Sequence, residues 1–313
     1  MLSAYLNILI FFVLIFIGYI LTAKKWFNSV VADSFSKLIL TITLPIGMFV
    51  TITSSFSKAE FLSLFSGILL PFCSILLAFI VGIIVAKIFN VAPQRRGAFS
   101  AMYGASNTIF MGLPISMAIF GPKAVPYVLL YYICNTLFFW TIGIYMLAKD
   151  GQIKEGITHK VDFKKTIKQL FSPALIGFLI GLICVLIDFP KIVFIEKLGK
   201  QLSNLTTPLS MFFIGIIIYQ TGISNLKMNK DTFLVLIGRF VISPLLVVSL
   251  SKFMPISGLM LKVFIVQSAM PVQNSMAILA HGYGADEKFA ATSLTYSVLA
   301  YLFVIPILLY YIL

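Results

Sequence analysis

The sequence predicts an all-α polytopic membrane protein: ten transmembrane helices in two inverted five-helix repeats, with the fourth and ninth helices broken and crossed. Three observations predict it. Sixty per cent of the 313 residues are hydrophobic and 11% are charged, with a mean hydropathy of +1.05, a balance no soluble domain carries. Apolar segments of 18–28 residues, each long enough to cross a hydrocarbon core as a helix, recur ten times. Two of them are interrupted at their centres, by Asn107-Thr108-Ile109-Phe110-Met111-Gly112-Leu113-Pro114 and by Met270-Pro271-Val272-Gln273-Asn274. Proline and glycine cost a lipid-buried helix backbone hydrogen bonds, so such breaks persist only where protein or a water-filled cavity re-satisfies the freed groups.

In chain order, the first span (4–22) is preceded by no basic residue and followed by Lys24-Lys25. It reads as an uncleaved span, because a signal peptide would show the opposite flanks. The second (34–54) carries Thr43-Leu44-Pro45, the third (61–88) Pro71, the fourth (98–120) the first interruption, and the fifth (124–148) follows Gly121-Pro122. A charged linker over 149–170 comes next. The sixth (171–188), the seventh (195–221, with Thr206-Thr207-Pro208), the eighth (232–252, with Pro244), the ninth (258–280, with the second interruption) and the tenth (289–313) complete the series. The prolines and breaks recur in the same order in both halves, Pro208 lying 163 residues after Pro45. Because five is odd, the second half enters the membrane from the other side, which makes the repeats inverted. The expected organisation is residues 1–148 as the first repeat, 149–170 as a cytoplasmic linker and 171–313 as the second repeat.

The net charge of +13 invites nucleic acid as a partner, but its placement argues against that. With ten spans, fifteen basic residues, from Lys24 to Lys288, fall on one face and seven on the other. The positive-inside bias then puts both termini outside a plasma membrane and loop 149–170 in the cytoplasm, facing anionic lipid headgroups. Cys73, Cys134 and Cys184 lie in apolar spans without metal-ligand spacing, and His159 and His281 have no clustered partner. No cofactor and no metal site is expected. A homodimer is left open.

The chemistry concentrates at the two breaks. Each creates a fresh helix N-terminus whose unpaired N–H groups and partial positive charge attract an anion without a cationic side chain. Asn107, Gln273 and Asn274 can orient such a ligand through their amides, or can instead satisfy the broken backbone; both readings stand. Gly112, Pro114 and Pro271 free the backbone. Arg239 is the one basic residue well inside a span, and it either serves function there or snorkels to the cytoplasmic headgroups. Asn135, Gln220 and Gln267 read as glue between helices.

These motifs resemble a known family. Asn107-Thr108-Ile109-Phe110-Met111-Gly112-Leu113-Pro114 is similar to the fourth-span signature of auxin efflux carrier family transporters, with Ile109 where that pattern usually has glycine. Met270-Pro271, the run from Leu279 to Asp286, Leu44-Pro45, and Thr207-Pro208-Leu209 leading to Gly215 fit as well. The resemblance implies a scaffold part from the first, second, sixth and seventh spans, a moving part from the others, and a small organic anion held at the crossing. Taken with the two breaks and the charge inside the eighth span, the expected substrate-binding set is Asn107, Thr108, Gly112, Pro114, Pro271, Gln273, Asn274 and Arg239. Gln273-Asn274-Ser275 is also similar to bile-acid sodium symporters, where a nearby glutamate helps bind sodium; here Ala269 and Met270 occupy that neighbourhood, leaving Gln273 as a weak sodium candidate.

The expected function is therefore a secondary permease for a small organic anion working by alternating access. The alternatives are a sodium-coupled organic-anion symporter and an anion channel. No G-x-x-x-x-G-K-[ST] motif supports an ATP-driven pump, and no catalytic arrangement lies at depth to suggest an enzyme. With no carboxylate in the middle of any span, uncoupled or weakly coupled movement of the anion down its electrochemical gradient is the expected energetics.

Overall fold

The computed structural model describes residues 2–55, 67–156, 173–190, 192–222, 227–254, 256 and 258–312. Positions 157–170 of the expected linker, with His159 and Lys160, Lys164, Lys165 and Lys168, lie outside the described residues. The chain is all-helical; the only extended pairing among the described residues is a single bridge between Ser106 and Val272.

The helices are α1 (Leu2–Ala23), α2 (Ser29–Leu38), α3 (Leu44–Ser55), α4 (Leu69–Ile88), α5 (Arg96–Gly104), α6 (Leu113–Phe120), α7 (Val125–Phe138) and α8 (Ile144–Glu155). The second half contributes α9 (Pro173–Leu186), α10 (Val193–Asn204), α11 (Thr206–Thr221), α12 (Lys230–Ile237), α13 (Ser243–Ser251), α14 (Gly258–Ser268), α15 (Ser275–Gly282) and α16 (Glu287–Ile312). Six continuous helical stretches among the described residues are long and apolar enough to span a membrane: 29–54, 69–88, 122–154, 193–220, 230–251 and 287–312. The other four expected spans meet shorter apolar helices, at 9–23, 108–120, 175–186 and 258–268. For the fourth and ninth spans the reason is physical: the breaks divide each into half-helices.

Among the described residues four π-helical turns interrupt the spans, at Ile39–Thr43, Thr108–Gly112, Phe139–Gly143 and Gly238–Ile242. Each adds a residue to a helical turn and so re-aims the side chains that follow, a device concentrated at functional sites.

The chain forms two compact units, and each draws on both halves of the sequence. The first comprises residues 1–66, 113–126 and 171–223. It gathers the first, second, sixth and seventh spans, the grouping the resemblance assigns to a scaffold, and adds α6. Within it α1 lies against α11 and α9 against α3. Small residues set both approaches: Gly18 faces the Phe212 carbonyl, Gly215 the Ile15 carbonyl and Gly177 the Pro45 carbonyl, so backbones touch with no side chain between. In the same unit the buried hydroxyl of Thr206 donates to that of Thr43 at 2.9 Å.

The second unit comprises residues 67–112, 127–170 and 224–313. Its core is aromatic, with Phe99, Tyr103, Tyr131, Phe139, Phe264 and Tyr301 all fully buried. Charged side chains organise one end of it. The carboxylate of Asp150, 2% exposed, accepts from the backbone N–H groups of Gly97 (2.8 Å) and Ala98 (2.7 Å), two of the donors that the start of α5 leaves unpaired. Asp150 belongs to α8, which runs on through Glu155, so the first residues of the polar stretch 149–170 are helix. Arg95 bridges Asp231 (3.3 Å) and Asp286 (2.9 Å) and stands over the Phe289 ring.

Candidate functional site

The two breaks meet inside the second unit. Helix α5 ends at Gly104, Ala105 turns extended, and Ser106 pairs antiparallel with Val272. The Asn107 N–H donates to the Pro271 carbonyl at 2.9 Å, and the Val272 N–H donates to the Ser297 hydroxyl of α16 at 3.0 Å. Proline at 271 offers no N–H, so α14 ends before it, and its carbonyl becomes an acceptor for the other break. The chain resumes as helix on each side: Gly112 N–H donates to Asn107 C=O across the π turn, and Met276 N–H donates to Gln273 C=O ahead of α15.

The amides predicted from the sequence come together. Asn107 Nδ2 donates to Asn274 Oδ1 at 2.9 Å, linking two side chains 167 residues apart. Asn274 Nδ2 is buried and has no protein partner, so the pair retains one donor. Gln273 is half-buried, and its Oε1 accepts from Asn135 Nδ2 at 3.4 Å. Asn135 also accepts from the Ser106 N–H (2.8 Å) and donates to the Ser106 carbonyl (3.1 Å). Helix glue was the sequence reading for Asn135, and its glue holds the crossing itself. Thr108 is buried where the π turn starts. Gly112 lies directly under the Gln267 side-chain amide, and a Cβ there would overlap it.

Past the break the fourth span reaches Pro114. It falls in the first unit, as the second residue of α6, and lines a cavity of about 100 Å³ together with Leu44, Met48, Thr51 and Thr207.

Of the two sequence readings of Arg239, function at depth or snorkelling, the structure removes the second. It is 0% exposed, so it does not snorkel. Its Nε donates to the Met270 carbonyl (3.2 Å), its Nη1 to those of Met102 (3.3 Å) and Tyr103 (2.6 Å), and its Nη2 to that of Ser268. The guanidinium also faces the Tyr131 hydroxyl. All four carbonyls belong to the last turns of α5 and α14 or the residues just beyond, acceptors that a broken helix strands in an apolar environment. The π turn at Gly238–Ile242 places Arg239 there, and Ser243 just after it donates to the same Tyr103 carbonyl at 2.7 Å. No ion pair to Arg239 exists among the described residues, and the only other buried Asp, Glu, Lys, Arg or His among them is Asp150.

Sequence reasoning missed Ser106, Ser243, Ser268 and Ser297, which act through a backbone carbonyl, a backbone N–H or a hydroxyl. Serine is common in membrane helices, and nothing in its spacing marks these four. Among the described residues no cluster of three histidine, cysteine or acidic side chains could hold a metal ion.

Comparison with known proteins bears on the family of the chain. The profile of the family described as membrane transport protein matches residues 3–311. An uncharacterized transporter of Methanocaldococcus jannaschii is 25% identical over 300 residues, covering 92% of each chain. Another uncharacterized transporter, from Methanothermobacter thermautotrophicus, is 24% identical over 306 residues, covering 94% of each.

Proposed function

The chain belongs to the membrane transport protein family, that of the auxin efflux carriers, and from this premise we propose that it is a secondary carrier for a small organic anion, a carboxylate, working by alternating access. The observation that carries the proposal is the crossing: two broken spans paired at Ser106 and Val272, with Asn107 and Asn274 amides bonded beside them. Crossed half-helices of this kind are how secondary transporters build substrate sites at mid-membrane. The helical turns restarting at Thr108 and Ser275 present their positive ends there, and the unpartnered Asn274 Nδ2 supplies a donor with no competing acceptor.

The proposed architecture is ten spans in two inverted repeats. Equivalent contacts support it. The first span packs on the seventh as the sixth packs on the second, and Thr43 bonds to Thr206 as Asn107 bonds to Asn274, each residue meeting its own counterpart. In the proposed orientation both termini are outside the plasma membrane and loop 149–170 is cytoplasmic, because fifteen basic residues fall on that face against seven. A single cysteine replacing Lys160 should label only from the cytoplasmic side; labelling from outside overturns the orientation.

The substrate test is thermal unfolding of purified protein against a panel of carboxylates, since a ligand that binds the folded state raises apparent stability by mass action. A stabilising carboxylate should then enter proteoliposomes with saturable kinetics. Flux that stays linear in concentration would point to a channel, and a panel with no stabilising carboxylate would sink the reading.

A further inference from the structure

We infer that Arg239 sets the charge selectivity of the crossing without touching the substrate. The inference rests on the carrier reading above and names the element that makes its site prefer an anion. A half-helix that ends at a crossing brings a partial negative charge on its stranded carbonyls, just as one that begins there brings a partial positive charge. Two helices broken at one place bring two ends of each sign, and the four partial charges tend to cancel. Here they do not. The carbonyls of Met102 and Tyr103 at the end of α5, and of Ser268 and Met270 at the end of α14, all accept from one guanidinium. The restarting helical turns at Thr108 and Ser275 have no comparable acidic side chain against them: Asp150, the one fully buried carboxylate among the described residues, is committed to the far end of α5, at Gly97 and Ala98.

The balance at the crossing is therefore one uncompensated positive charge, with the negative helix ends covered and the positive ends left open. The planar fork explains why arginine occupies this position. One guanidinium reaches carbonyls from two separate helix ends, which a lysine ammonium, a compact point charge, cannot match in geometry. With its donors spent on backbone, Arg239 acts on a ligand through its field, and the amide of Asn274 makes the contact. It is a positioning and selectivity residue.

The test compares each of three carboxylates (acetate, malonate and benzoate) with its own primary amide, by thermal stabilisation of the purified full chain. Wild type should prefer the carboxylate. Arg239→Gln keeps hydrogen-bond donors but removes the charge, and it should reduce that preference at least tenfold while leaving the affinity for the amide nearly unchanged. Arg239→Lys should retain most of the preference. Ser243→Asp leaves the guanidinium in place and sets a carboxylate beside it at the shared Tyr103 carbonyl. It should abolish the preference as Arg239→Gln does, and it carries the test if the glutamine variant does not fold. A merely structural Arg239 predicts equal losses for carboxylate and amide and no distinction between lysine and glutamine; that result overturns the inference and leaves the carrier reading standing. A wild type with no preference for carboxylate over amide overturns both.

Discussion

Replacing Asn107 and Asn274 with alanine, singly and together, tests whether the crossing's amides work as a pair. Asn107 is 2% exposed and its Nδ2 lies 2.9 Å from Asn274 Oδ1, a part-buried bond of normal length. Truncating either side strands the other's amide, and a buried polar group left unpaired costs about 1–3 kcal/mol. Ligand affinity should therefore fall by roughly 5- to 150-fold in each single variant, taking about 1.4 kcal/mol per tenfold. The two variants differ in one respect. Asn107 Nδ2 is already engaged, whereas Asn274 Nδ2 has no protein partner, so Asn274→Ala also removes the donor available to an anion and should be the worse of the two. The double variant strands nothing further, and its loss should lie within roughly a few-fold of the Asn274→Ala loss, a coupling of about 1 kcal/mol or more between touching residues. The assay is carboxylate-dependent thermal stabilisation, which reads affinity directly. Losses that multiply in the double variant would show that the amides act independently, and unchanged affinity in all three would remove the pair from the site.

Asp150→Asn keeps one acceptor oxygen for the two N–H groups of Gly97 and Ala98, and should destabilise the protein by about 1.5–3 kcal/mol, with Asp150→Ala costing more; faster amide hydrogen exchange at Gly97 and Ala98 would localise the loss to the start of α5. Gly151→Ala sets a methyl onto the Tyr283 carbonyl and should destabilise by about 1–3 kcal/mol, whereas Gly258→Ala, with nothing within 4 Å, should be neutral or stabilising by up to ~1 kcal/mol; melting temperatures of the two variants give the comparison.

What the sequence discloses and what it hides follow from which groups carry chemical identity. The breaks were legible because proline and glycine are the residues that break helices, and Asn107 and Asn274 because amides stand out among apolar side chains. The carbonyls of Met102, Tyr103, Ser268 and Met270 were not legible, because every residue has a carbonyl and only the fold decides which are stranded. Arg239 was visible as a costly charge inside a span, but its partners were invisible for that reason, and both snorkelling and direct ligand contact were natural readings of it. Pro114 was read from the sequence together with the break it follows, and it is the second residue of α6, a helix of the first unit. The stretch from Lys149 to Glu155 looked like linker because it is charged, while its Asp150 is buried as a cap for a helix more than fifty residues earlier.

The self-pairings bear on how such a site can be asymmetric in a symmetric frame. A residue that meets its own counterpart sits where the proposed two-fold relation between the halves passes, as Thr43 with Thr206 in the first unit and Asn107 with Asn274 in the second. Strict symmetry would make the two partners equivalent, but one amide pair bonded through a single N–H···O cannot be: one asparagine donates and the other is left with a free donor. Here the free donor falls on Asn274. Arg239 breaks the symmetry in the same sense, since one residue of the second half covers the stranded carbonyls of both half-helices, and no basic residue lies deep in a first-half span to mirror it. Both departures add positive character at the crossing and neither adds negative. If the proposed repeat arose by duplication, the proposed preference for an anion rests on its second half, on one guanidinium and one uncommitted amide.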